Sequence, residues 1–170
     1  MKRKIAAGGV AAVALVALSL VVASAAAKAD FSGKWVMDKA KTEGVAEGVE
    51  YTLNIKQTGD VIEVETTVKG PQGERSVKDK FVADGKEVDF TPPIPQPDVT
   101  GKGKRTTKWT ADGMGLDVSE AATVEGPQGS VEFSATRKWT LSADSKTLTM
   151  EMAFSGEQGV QKTKRVFVKQ

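Results

Sequence analysis

From Glu50 to the C-terminus the chain alternates apolar and polar residues in runs cut by short Gly- and Asp-bearing turns, and that rhythm admits few folds. Tyr51, Leu53 and Ile55 fall on one side of an extended chain, as do Ile62, Val64, Thr66 and Val68. Leu116, Val118, Ala122 and Val124 follow, then Val131, Phe133, Ala135, Trp139 and Leu141, then Leu148, Met150, Met152 and Phe154. A period of two sends successive side chains to opposite faces, the mark of a strand with one face buried and the other in water. Thr, Lys, Glu and Ser occupy the intervening positions and suit a solvated face.

The turns are as regular as the strands. Gln57-Thr58-Gly59-Asp60, Ala83-Asp84-Gly85-Lys86, Ala111-Asp112-Gly113-Met114 and Ala143-Asp144-Ser145-Lys146 read as tight turns. Asp-Gly supplies the positive φ angles of a type I′ hairpin. A second kind alternates with them: Gly70-Pro71-Gln72-Gly73, Gly126-Pro127-Gln128-Gly129 and Gly156-Glu157-Gln158-Gly159, where Pro sets a corner and Gly admits left-handed backbone. Lys108-Trp109-Thr110 recurs as Lys138-Trp139-Thr140, so the chain repeats a hairpin unit too short for a solenoid or a propeller blade.

Centring strand pairs on these turns predicts a register. Ile55 falls opposite Ile62, Val64 opposite Asp79, Ile62 opposite Phe81, Phe81 opposite Val88, Trp109 opposite Leu116, Ala122 opposite Phe133, Trp139 opposite Leu148 and Phe133 opposite Phe154. Apolar residues meet apolar residues nearly throughout, and a slip of one residue would turn each set to the wrong face. In the last strand, turn centring puts Thr163, Arg165 and Phe167 inward, whereas Val166 and Val168 favour the opposite phase. A bulge would reconcile the two.

Two segments break the rhythm. Asp38 to Gly48 is polar and has room for at most a short helix. Thr91 to Pro97 holds Pro92, Pro93, Pro95 and Pro97 and cannot sit in a central strand, because Pro lacks a donor; it reads as an extended loop between the two halves. The expectation is an all-β domain, an antiparallel up-and-down meander of about eight to ten strands closed into a β-barrel to remove its edges.

Residues 1–29 read as a signal peptide and 30–170 as the β domain. Lys2, Arg3 and Lys4 precede an Ala- and Val-rich run from Ile5 to Val22, and Ala23-Ser24-Ala25 and Ala27-Lys28-Ala29 each fit the small-x-small cleavage pattern. Cleavage after Ala29 or Ala25 is expected, with an uncleaved membrane anchor as the alternative. A Sec-type route to the periplasm or the exterior follows, since no twin Arg is present. The chain carries 24 Lys and Arg against 22 Asp and Glu. Lys2, Arg3, Lys4 and Lys28 belong to the leader, so the remaining domain of about 140 residues, an ordinary size for one domain, is slightly acidic. Nothing in that balance points to nucleic acid.

Phe31-Ser32-Gly33-Lys34-Trp35 follows the leader. A Phe-x-Gly-x-Trp opening resembles the first strand of the calycins, the lipocalins and their fatty-acid-binding relatives. The stretch Gly33 to Thr42 also looks like the start of small secreted bacterial lipocalin-like proteins. The resemblance implies a lipocalin-like barrel with the Trp35 indole beneath one end, and it gives Gly33 and Trp35 a structural role. The segment from Asp38 to Gly48 is shorter than the helix pair of the fatty-acid-binding relatives, and no residue of a binding site carries over by motif.

The chain has no His and no Cys. The commonest general base, zinc ligand, thiol nucleophile and disulfide are therefore excluded. No Gly-x-Ser-x-Gly elbow, Ser-x-x-Lys pair or phosphate loop occurs, so neither catalysis nor a cofactor or metal is expected. The register does turn charges inward. Arg105 shares the face of Trp109, Glu120 lies between Val118 and Ala122, and Arg137 between Ala135 and Trp139. Arg105 falls opposite Glu120 with Arg137 one step diagonal, and Arg165 falls opposite Met150. A buried charge must pair or bind something.

One account is an internal Arg105–Glu120–Arg137 ion network. The other is a ligand site, in which two Arg against one Glu leave positive charge for a carboxylate such as a fatty acid. Trp109, Trp139, Phe133, Phe154, Met150 and Met152 would then line the apolar part, or else simply fill the core. The expected protein is an exported monomer that binds a small hydrophobic or amphipathic ligand. The alternative is a structural or interaction module of the cell envelope with a filled barrel, making peripheral contact through loops such as Thr91 to Gly103, where Lys102-Gly103-Lys104-Arg105 would meet anionic lipid or sugar.

Overall fold

The computed structural model describes residues 28–93, 99–127, 129–156 and 159–170. The run from Met1 to Ala27 that reads as a leader, and most of the Pro-rich stretch, lie outside those residues. The strands are β1 (Gly33–Met37), β2 (Glu50–Thr58), β3 (Val61–Gly70), β4 (Gly73–Val82), β5 (Glu87–Phe90), β6 (Thr100–Trp109), β7 (Gly115–Gly126), β8 (Gly129–Leu141), β9 (Thr147–Gly156) and β10 (Gly159–Lys169). A 3-10 turn at Lys39–Lys41 is the short helix that the polar segment allows, with the Asp38 carboxylate accepting from Ala40 N–H.

These strands form one antiparallel ten-stranded sheet in the order β4-β3-β2-β1-β10-β9-β8-β7-β6-β5. The meander is as expected, and β1 joins its two ends by pairing with both β2 and β10. The expected closed barrel is not formed. β4 and β5 follow each other in the chain yet do not pair, and they are the two edges of the sheet. The molecule is an open, curled half-barrel.

The reason lies in the turn at Ala83–Lys86. Ala83 N–H donates to Asp60 O before β3, and Gly85 N–H donates to Thr107 O on β6. With its two ends tied to different neighbours, this turn cannot start a hairpin ladder, so the expected pair Phe81–Val88 is absent. Val88 pairs instead with Arg105.

Two other turns shift the register. A two-residue loop closed by Thr58 and Val61 sets Ile55 opposite Val64, not Ile62. Ser142 N–H donates to Thr147 O across a four-residue loop, which sets Trp139 opposite Met150 and Phe154 opposite Ala135. Each shift is by two residues, so no side chain changes face and the apolar pattern survives. The Asp112-Gly113 and Asp144-Ser145 turns are likewise four-residue loops with one left-handed residue, Gly113 at φ +71° and Ser145 at φ +56°, rather than type I′ pairs.

The last strand follows turn centring. Its ladder to β9 runs without interruption from Gly159 to Val168, so no bulge is needed. Phe167 enters the core, and Val166 is buried on the other face. There its N–H donates to Thr42 Oγ1 and its carbonyl accepts from Asp38 N–H. The polar segment covers Val166, which explains an apolar residue on an outward phase.

The core occupies one end of the curl. Phe31, Trp35, Leu53, Ile62, Phe81, Leu116, Trp139, Leu148 and Phe167 are fully buried there. The Phe31 ring stacks on Trp109 at 5.9 Å and meets Trp139 edge-on at 5.8 Å. Trp35 Nε1 donates to Phe31 O at 2.8 Å, so the indole seals the base as the Phe-x-Gly-x-Trp opening predicts.

Candidate functional site

Above this filled base the inner face changes character. β6 and β7 bring Arg105 opposite Glu120, and β8 sets Arg137 diagonal to that pair. Arg105 and Glu120 are 2 % and 4 % exposed. Arg105 Nε donates to Glu120 Oε1 at 2.7 Å and Arg137 Nη2 to Glu120 Oε2 at 2.9 Å. Each Glu120 oxygen thus receives a charge-assisted donor, which satisfies a carboxylate held away from water.

Asp79 completes the group from across the open seam. Its two oxygens accept from Arg105 Nη1 at 2.7 Å and Nη2 at 2.9 Å, and Nη1 also donates to Lys80 O. The guanidinium lies between the Phe81 and Phe90 rings, 4.3 Å from each centroid. Phe90 reaches that position because Gly103 stands opposite it; a Cβ on Gly103 would come within 2.7 Å of Phe90 Cε1. Arg105 and Arg137 are thus matched by Asp79 and Glu120. The surplus positive charge that two Arg against one Glu imply is cancelled here by Asp79, an inward residue that the turn-centred register places opposite Val64 without linking it to Arg105.

Arg165 on β10 is an inward charge without a carboxylate partner among the described residues. It is half-buried, opposite Met150, with its guanidinium 4.3 Å from the centroid of the Tyr51 ring. It makes no ion pair among the described residues, and its Nε is buried without a hydrogen-bond partner there. Arg137 Nε is in the same condition, while the Arg137 side chain keeps 24 % of its exposure. Arg137 and Arg165 stand on either side of β9, where Met152 faces Arg137 and Met150 faces Arg165. Farther toward the mouth Phe133 and Phe154 stack at 5.1 Å. Tyr51, Val68, Phe133, Met152, Phe154 and Thr163 are all half-buried, so this half is not sealed as the base is.

The residues singled out from sequence therefore separate into three levels. Arg105, Glu120 and Arg137 are brought together. Trp109 and Trp139 lie below them, packed with the core. Phe133 lies above, in the mouth. Arg165 was legible as an inward residue, but the ambiguous phase of the last strand kept it out of the cluster. Phe90 carried no signal, because β5 is only 4 residues long.

No protein-family description matches the sequence, and no curated protein matches it. Among solved structures, the chain is similar to zebrafish ileal bile acid-binding protein in complex with cholic acid. The match has 21 % identity and a TM-score of 0.51, over 82 % of this chain and 98 % of that one. It is also similar to secretory abundant heat soluble protein 4 of Ramazzottius varieornatus, at 15 % identity and a TM-score of 0.46, over 82 % and 94 % of the two chains. The first likeness is one of fold, and it agrees with the calycin-like opening at Phe31–Trp35.

Proposed function

We propose that this is an exported, non-catalytic binding protein that takes a small amphipathic acid into the mouth half of its curled sheet. The observation that carries the reading is Arg165: a half-buried guanidinium with no carboxylate among the described residues, across β9 from Arg137. An isolated guanidinium is costly to desolvate, and a ligand carboxylate or sulfonate would satisfy it with charge-assisted, two-pronged bonds. Tyr51, Met152, Phe133 and Phe154 would take the apolar body, and Met adapts its shape readily to such a role. Arg105 and Arg137, balanced by Asp79 and Glu120, form the neutral floor of the site, and Trp109 and Trp139 support it from below. The likeness to a protein crystallised with cholic acid supports a ligand of this class, and the leader supports a periplasmic or secreted setting for a monomer.

The test is displacement of a fluorescent fatty acid from the purified protein by oleate and by cholate, together with mass spectrometry of lipids that co-purify. Binding in the micromolar range, weakened at least tenfold in Arg165→Gln with the fold intact, supports the reading. Absence of probe binding and of retained lipid would leave the envelope module with a filled interior as the better account.

A further inference from the structure

We propose that Lys28 and Ala29 belong to the mature domain, so that processing falls between Ala25 and Ala26 and not after Ala29. The inference rests on the reading of residues 1–29 as an export leader and changes where that leader ends. Both Ala23-Ser24-Ala25 and Ala27-Lys28-Ala29 satisfy the small-x-small rule, so sequence leaves the choice open. The base of the sheet separates them.

Ala29 is 7 % exposed and is part of the hydrophobic core. Its N–H donates to Gly113 O at 2.8 Å, in the turn between β6 and β7, and its carbonyl accepts from Gln57 Nε2 at 2.9 Å, at the end of β2. The same Gln57 side chain accepts from Phe31 N–H through Oε1 at 3.0 Å. One amide thus reads both sides of Asp30 and holds the segment that delivers Phe31 between Trp109 and Trp139. Lys28 adds an ion pair with Asp60 and lies 5.5 Å from the centroid of the Trp109 ring. Asp60 is also the acceptor for Trp109 Nε1 at 2.9 Å.

Cleavage after Ala29 would remove every one of the Lys28 and Ala29 contacts. It would leave Gly113 O and Gln57 Nε2 without their Ala29 partners at the base of the sheet. Cleavage after Ala25 leaves all of these contacts intact. In that step a signal peptidase of the exporting cell hydrolyses the Ala25–Ala26 bond with one water, giving a carboxylate on Ala25 of the leader and an ammonium on Ala26 of the domain.

The full chain, expressed in a Sec-competent bacterium and recovered from the periplasm or medium, is measured intact by mass spectrometry. A product spanning residues 26–170 is expected. A product spanning 30–170 overturns the inference while leaving the export reading in place. An unprocessed 1–170 product overturns the inference together with the reading of a cleaved leader. Chains 26–170 and 30–170, each made directly, provide a second measurement. The shorter one is expected to melt lower by on the order of 5 °C, and equal melting temperatures would show that Ala29 is not a working part of the base.

Discussion

Arg105 on β6 reaches across the open seam of the sheet and grips Asp79 on β4 with two parallel hydrogen bonds, 2.7 and 2.9 Å long. No main-chain ladder joins the two edges of the sheet, so this side-chain pair, with the Arg105–Lys80 O bond and the flanking Phe81 and Phe90 rings, draws the curl together. Asp79→Asn should therefore destabilise the protein by about 2 kcal/mol, the scale of lost hydrogen bonds to a charged group, since Arg105 keeps Glu120. Replacing both partners with apolar residues, Asp79→Leu with Arg105→Met, should cost less than the sum of the single changes. Urea unfolding of the four proteins measures the coupling; additive losses would mean that the pair does not join the edges.

Ser145 holds a left-handed backbone, φ +56°, at the place where the homologous turn uses Gly113 at φ +71°. A residue with a Cβ pays about 1 kcal/mol for that conformation. Ser145→Gly should stabilise the protein by about 0.5–1 kcal/mol, and Gly113→Ala should destabilise it by about 1 kcal/mol. Thermal unfolding of both variants reads the opposite signs directly.

Much of this fold was legible because period and punctuation agree. Alternation fixed which residues face inward, and turns such as Gly70–Gly73 and Gly126–Gly129 fixed which strands pair. At Gly59 and at Ser145 the turn centre lies one residue later than turn centring predicts, which moves each pairing by two residues and leaves the inner face unchanged. What could not be read was the open seam. A turn of the Asp-Gly kind at Ala83–Lys86 looks like its neighbours, and only the competing acceptors Asp60 O and Thr107 O, distant in sequence, pull it apart. The site was half legible for the same reason. Arg105, Glu120 and Arg137 share adjacent strands, but Asp79 meets Arg105 only across that seam. Arg165 was obscured by Val166, whose burial under Asp38 and Thr42 imitates an inward phase.

Acid should weaken these same turns. The Asp112 carboxyl is held below its ordinary value of 3.8 first by the Thr110 hydroxyl and then by Met114 N–H. Asp144 is held down first by the Ser142 hydroxyl and then by Lys146 N–H. With folded-state values below unfolded ones, the unfolded chain binds more protons in the window beneath about pH 4, and stability there rises with pH. The contribution of both turns is present above the unfolded value and is lost as pH falls through the folded one. Melting temperature should hold steady between about pH 5 and 8, where no side chain of a chain without His or Cys ordinarily titrates, and then fall toward pH 2. Asp144→Asn should flatten part of that fall; an unchanged acid limb would show that the turn is not formed as described.

Arg165 should be a residue that the free protein holds at a cost. Its Nε is buried without a partner among the described residues, and its guanidinium rests on Tyr51 with no carboxylate to neutralise it. A cation–π contact returns only about 1 kcal/mol at a partly exposed position, less than the penalty of an unpaired buried donor on a charged group. Arg165→Met fills a similar volume beside Met150 and removes that penalty. The variant should unfold at a higher urea concentration, with a gain of about 1 kcal/mol, while losing affinity for oleate and cholate. Arg105→Met, made alone, should do the reverse to stability, because it strands Asp79 and part of Glu120. Opposite signs for two inward arginines on one sheet would distinguish a guanidinium kept for a ligand from one kept for the fold. A destabilised Arg165→Met would place Arg165 with Arg105 among the residues that hold the sheet together.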